Sequence, residues 1–209
     1  METPRAWLGP LWRGLAAMLV VGSAGGGANG TVWALSAAAG VTMADLARRE
    51  RAERASDATG FAMQAAFVAV LAGAAFDRRH GVPAAGLADL AGAMLFGAAL
   101  WLRQRTQREM GQAFRVAIVL TTEQELIHTG PFHRIRHPSY AAIGLMGIAT
   151  ALLTRSPLAL TATFALWLPA ALARISMEEQ ALARRYGAQW TEYCRTTGRL
   201  LPRLRASAK

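Results

Sequence analysis

The chain has 209 residues, 53% hydrophobic and 17% charged, with a formal net charge of +10 and one cysteine, Cys194. Long charge-free runs alternate with short arginine-rich patches, the pattern of a polytopic membrane protein rather than of one or two soluble domains. A single cysteine excludes an intrachain disulfide and a multi-cysteine metal site, and the positive-inside rule accounts for the basic excess without a nucleic-acid partner.

In chain order, Gly14–Ala44 carries no charge over 31 residues, enough for one crossing. Its centre, from Gly22 to Gly30, is a poor helix stretch. Three readings stay open: one loose span, a broken pair, or a secretory signal ending near Ala24. No Gly-Lys-Ser/Thr follows the glycines, so close helix packing explains them better than a phosphate loop. Asp45–Asp57 is a charged loop or surface helix. Ala58–Phe76 is a second span of 19 uncharged residues, and Val82–Leu102 is a third, with Asp89 near its start. Arg103–Arg115 reads as a basic helical extension, and Thr121–Arg136 as polar and irregular. Two spans of 18 uncharged residues follow, His137–Thr154 and Ser156–Ala173, joined at Arg155. Ser156 is a natural N-cap with Pro157 at the first helical position, and Pro169 should kink the last span. From Arg174 onward the chain is amphipathic and basic.

The expected fold is therefore all-α. It is a single membrane domain of about five transmembrane helices, ending in a helical hairpin and an amphipathic cytoplasmic tail helix. Residues 1–102 hold three spans, 103–202 the chemistry and 203–209 a tail. Alternate flanks divide the 23 Lys and Arg residues into 18 and 5, which places the amino end outside and the carboxyl end in the cytoplasm. The start of the fourth span and the end of the fifth then share the cytoplasmic face.

That face carries the chain's densest chemistry. Gly130-Pro131-Phe132-His133-Arg134-Ile135-Arg136-His137-Pro138-Ser139-Tyr140 packs two Arg, two His, two Pro and two aromatics into eleven residues, against an apolar run. Opposite it stand Arg174, Glu178 and Glu179. Arg174 and Glu178 are i and i+4, hence on one side of the helix. Ionisable groups at such a junction read as functional, although each has a plainer account. Arg134 and Arg136 could be inside-positive anchors, Arg174 with Glu178 an ordinary helix pair, and Tyr140 an interfacial belt residue.

Gly130-Pro131-Phe132 with Arg136-His137-Pro138-Ser139-Tyr140 resembles the signature of the isoprenylcysteine carboxyl methyltransferase family. The related phospholipid methyltransferases share its Arg-His-Pro-x-Tyr and paired-Glu pattern. The second block, Glu178-Glu179 through Leu182, Tyr186-Gly187, Trp190, Tyr193, Arg199 and Pro202, fits as well. The resemblance covers roughly 98–202. It implies S-adenosyl-L-methionine as methyl donor at the cytoplasmic face. By resemblance, Gln124, Glu125, Leu126, Ile127, Phe132, His137, Pro138, Ser139 and Tyr140 line the donor site, Glu178 holds the donor's amino group and Arg174 faces the acceptor. His137 joins Arg174 and Glu178 as a catalytic candidate. Phe132 stands where the family commonly has Tyr, Gln124 where it has His, and Ala142 where it has Gly.

The expected reaction is methylation of a lipophilic acceptor entering from the lipid bilayer, foremost O-methylation of a carboxylate such as a prenylcysteine or an isoprenoid acid. Phospholipid N-methylation and thiol S-methylation are the alternatives, and the first spans are expected to shape the choice. No nucleic acid and no metal are expected: a membrane oxygenase built on His133 and His137 needs more His than the four present. The rivals from other classes are a membrane NADPH-dependent reductase and a non-enzymatic scaffold.

Overall fold

The computed structural model describes residues 58–77, 86–110 and 126–203. The apolar stretch Gly14–Ala44, the charged segment Asp45–Asp57 and the candidates Gln124 and Glu125 lie outside the described residues. Among those described, the structure is helical, with no strand and one isolated parallel bridge between Ile135 and Gly198.

Helix α1 is Ala58–Asp77 and α2 is Leu87–Met110, so the third span and the described part of its basic extension form one continuous helix. Helix α3 is Pro138–Thr154, with Pro138 in its first turn, where the missing N–H is harmless. Helix α4 runs through 30 residues, Pro157–Tyr186. It is α-helical over Pro157–Ala162 and Leu168–Tyr186, with a π turn at Thr163–Trp167 between them. Gly187, at φ 52°, turns the chain into α5, Ala188–Thr196.

The π turn sits directly before Pro169, where a kink was expected. A proline inside a helix clashes with the carbonyl four residues back. Here Leu168 N–H reaches back five residues, to Thr163 O, which widens the turn, and the helix continues through it.

Of the described helices, α4 alone is long and apolar enough to cross a membrane; Ala62–Asp77 and Pro138–Thr154 are shorter apolar helices. The described residues thus give one crossing by length and composition, against about five expected for the whole chain. At about 1.5 Å per residue, α4 spans about 45 Å, well beyond a hydrocarbon core of about 30 Å. Its polar second half therefore extends past its apolar first half. Val68, Phe76, Leu90, Met94, Trp101, Phe164 and Leu166 all face outward, which suits a lipid surface and would be a liability in water.

The bundle core holds Phe67 of α1, Phe96 of α2, Ile143 and Met146 of α3 and Trp167 of α4. A Cβ at Gly144 would lie 2.9 Å from the Trp167 ring, so glycine lets the indole rest on the α3 backbone. At the far end of the α3–α4 hairpin, Ser156 caps α4 by accepting from Ala159 N at 2.9 Å. Asp77 Oδ2 accepts from Ser156 Oγ at 2.6 Å and from Leu158 N at 3.0 Å. Arg155 holds a left-handed φ of 50° and pairs with Asp89.

Candidate active site at the elbow

Thr129 opens a single 3₁₀ turn, Gly130–His133. The chain then runs alongside residues 197–199. Arg136 N donates to Gly198 O at 2.8 Å, Gly198 N to Arg134 O at 3.1 Å and His137 N to Arg199 O at 3.0 Å. Tyr193 of α5 donates its hydroxyl to Phe132 O at 2.7 Å. The carboxyl-terminal segment thereby clamps the elbow and fixes where α3 begins. Burial pushes the Tyr193 hydroxyl above its ordinary range, in keeping with a phenol that stays a donor.

His137 precedes α3 and is buried, at 6% exposure. Its side chain does not cap the helix but lies between two carboxylates. Nδ1 is 3.8 Å from Glu178 Oε2 and Nε2 is 3.4 Å from Glu179 Oε1. Both are ion-pair distances for a protonated ring, although buried Nε2 makes no aligned hydrogen bond.

Glu178 Oε1 accepts from the Tyr140 hydroxyl at 2.6 Å. Arg174 Nε donates to the Tyr140 oxygen at 2.9 Å and sits 3.3 Å from the same Glu178 oxygen. Arg174 is 4% exposed, and its Nη1 lies 3.4 Å from Thr59 Oγ1 of α1. Phenol, guanidinium, carboxylate and imidazole from two distant stretches thus form one cluster. A guanidinium this deep requires charge-compensating neighbours, which Glu178 supplies.

Glu179 anchors the tail. Arg136 Nε donates to its Oε1 at 2.9 Å and Arg199 Nε to its Oε2 at 2.8 Å, while Arg136 Nη1 donates to Thr197 O at 2.5 Å. Glu179 lies beyond the apolar part of α4. Burial would raise its carboxyl, but His137, Arg199 and Arg136 outweigh that and hold it at about 2. Arg136 is thus a bridging residue, while Arg134 stays exposed as an anchor would.

The other candidates fall in different places. Pro138 is fully buried in the first turn of α3. Ser139 Oγ accepts from Arg103 Nη1 at 3.2 Å, which brings α2 to the site through a buried arginine. Phe132 is buried, and its carbonyl takes Tyr193. Ile127 is half-buried. Leu126 lines a separate cleft of about 420 Å³ with His128, His133, Gln189, Glu192, Tyr193, Thr196 and Thr197. That cleft does not include His137, Tyr140, Arg174 or Glu178. It touches the cluster's neighbourhood through Thr197, whose carbonyl holds Arg136.

Sequence reading assigned no role to Arg103, Thr59 or the Arg136–Glu179–Arg199 bridge. A signal existed for Arg103, the first charge after an apolar run, and for Glu179 as half of a pair. Thr59 offered none.

No curated protein and no solved structure matches this chain. Residues 87–189, which include α2, the elbow, the α3–α4 hairpin and the cluster apart from Thr59, match the model of the phospholipid methyltransferase family, to which the isoprenylcysteine carboxyl methyltransferases are related; the match indicates a membrane methyltransferase acting on lipid-related substrates.

Proposed function

We propose that this chain transfers a methyl group from S-adenosyl-L-methionine to a lipophilic acceptor at the Tyr140–Arg174–Glu178–His137 cluster, facing the cytoplasm. The carrying observation is that Tyr140 and Glu178, both part-buried, are joined to the buried Arg174 in one hydrogen-bonded and ion-paired unit within the stretch that matches the methyltransferase family.

The donor fits these residues. Glu178 Oε2 is not in hydrogen-bond contact with His137 and is the oxygen an ammonium such as the donor's amino group would meet. His137 Nε2 is a buried nitrogen with hydrogen-bonding capacity to spare. When bound, the donor supplies an electrophilic methyl on a sulfonium. The chain's own residues then have two tasks, aligning the acceptor in line with that methyl and keeping water away.

The leading acceptor is a carboxylate, such as a prenylcysteine or an isoprenoid acid. Tyr140 and Glu178 hold the Nε edge of Arg174, and a guanidinium fixed in this way is the group suited to orienting a carboxylate. A carboxylate is already a nucleophile and needs no base. A second reading, a phospholipid amine, is favoured by the family match. An ammonium must first lose a proton, and His137, flanked by two carboxylates, is the group to accept it.

Incubating the full chain in bilayers with labelled donor and either S-farnesylcysteine or phosphatidylethanolamine separates the readings. Base-labile label in the first supports the carboxylate, and N-methylated lipid supports the amine. Tight NADPH binding with no S-adenosylhomocysteine binding would transfer the site to a reductase. A reporter fused after Lys209 should read cytoplasmic and one at Arg155 external; the reverse removes the cytoplasmic orientation.

A further inference from the structure

Helix α1 lies outside the residues that match the methyltransferase family, 87–189, yet its first turn reaches the cluster. Thr59 Oγ1 is 3.4 Å from Arg174 Nη1. A Cβ built on Gly60 would lie 3.0 Å from the same Nη1 and 3.7 Å from Cζ. One turn on, Met63 packs against the same core cluster that Tyr140 packs against. Two parts of the Arg174 guanidinium are therefore contacted from different stretches of the chain. The Nε edge belongs to Tyr140 and Glu178 within the matched stretch, and Nη1 faces α1.

We propose that Thr59 and Gly60 are positioning residues that set acceptor preference through Arg174. This rests on the reading of Arg174 as the group that orients an acceptor carboxylate. A flexible arginine would normally yield to a new methyl group, but here Nε is held at 2.9 Å by Tyr140 and the head is 3.3 Å from Glu178. Pressure at Nη1 must then rotate the plane of the fork. Bidentate carboxylate recognition depends on that plane, and alignment is sensitive to misplacement on the order of 1 Å. Glycine at position 60 leaves the fork its room, and the Thr59 hydroxyl fixes its outer corner.

Gly60→Ala is a clean probe, because alanine is the better helix former and the fold should not suffer. The full chain in nanodiscs would be titrated with S-adenosylhomocysteine, S-farnesylcysteine and the carboxylate-free S-farnesylcysteamine, with melting curves alongside. The expected result is a loss of about tenfold for S-farnesylcysteine, with the other two ligands within about twofold and Tm unchanged or higher. Thr59→Val should weaken the carboxylate ligand by a smaller factor, and Thr59→Ser should restore it. Unchanged S-farnesylcysteine affinity, an equal loss for all three ligands, or a wild type that does not prefer the carboxylate over the amine would each overturn the proposal. A wild type that fails to bind S-adenosylhomocysteine sinks the methyltransferase reading itself, a separate outcome.

Discussion

The α3–α4 hairpin carries polar groups at both ends, and the two ends use them differently. At the far end, Asp77, Ser156 and the backbone of Leu158 and Ala159 form a closed set of caps, and Asp89 pairs with Arg155. Each acceptor there meets a donor that a helix terminus or a turn already requires. At the elbow, Arg136, His137, Arg174, Glu178, Glu179 and Arg199 gather with Tyr140. That is more charge than capping needs. Termination of helices explains the first end. Helix capping alone does not account for the second, which is why the proposed site is placed there.

The sharpest way to break this contrast is Arg174→Ala. If the guanidinium orients the acceptor, transfer should fall by at least about 100-fold while S-adenosylhomocysteine binding changes little. Removing one member of a buried pair should also lower stability by about 3 kcal/mol. Transfer is read by label incorporation well below the melting temperature. If donor binding falls as far as transfer does, the elbow is a structural ion pair like the far end.

Next in size, Glu178→Gln should weaken S-adenosylhomocysteine binding by about 10- to 100-fold, the loss of a charge-assisted contact of about 1.5–3 kcal/mol. Calorimetric titration checks it, and an unchanged affinity moves the donor's amino group elsewhere. Asp77→Ala tests the other end. It should cost about 1–2 kcal/mol of stability, the range for a lost helix cap, and leave donor affinity and turnover per folded molecule as they were. Reduced turnover at a temperature where the variant is fully folded would show that the far end also serves the chemistry.

Glu179 gives a pH test. Its carboxyl is held at about 2, below an ordinary carboxyl near 4.5. Its depressed value means the charged form is favoured in the fold. That contribution is complete above about 4.5 and is lost as pH falls through about 2. Glu179→Gln should therefore flatten the acid limb of a melting-temperature profile between those values, and parallel limbs would remove Glu179 from the clamp. The smallest effect is expected at Cys194, whose thiol burial pushes up, away from the reactive thiolate. Cys194→Ser should keep activity and donor affinity within a few fold, and a large loss would point to covalent chemistry.

Much of the architecture was legible because it is local. The charge-free runs Ala58–Phe76 and His137–Thr154 lie within a residue of α1 and α3. Pro138 at a helix start and Ser156 as a cap follow from what each side chain does to its own backbone. That Glu178 and Arg174 share a helix side follows from their spacing, and the hairpin brings them to the level of His137. The described α4 also shows what composition misses: the apolar span and the polar segment after it are one helix of 30 residues.

The tertiary structure alone decided how the helices are rotated against one another. Spacing says which residues of α4 share a side but not which oxygen of Glu178 meets Tyr140, nor that Glu179 turns toward Arg136 and Arg199. Contacts between Arg103 and Ser139, 36 residues apart, and between Thr59 and Arg174, 115 apart, depend on axial rotation and offset. Those are set by packing such as Trp167 against Gly144, through the sum of many small core contacts, and no periodicity in a single chain encodes them.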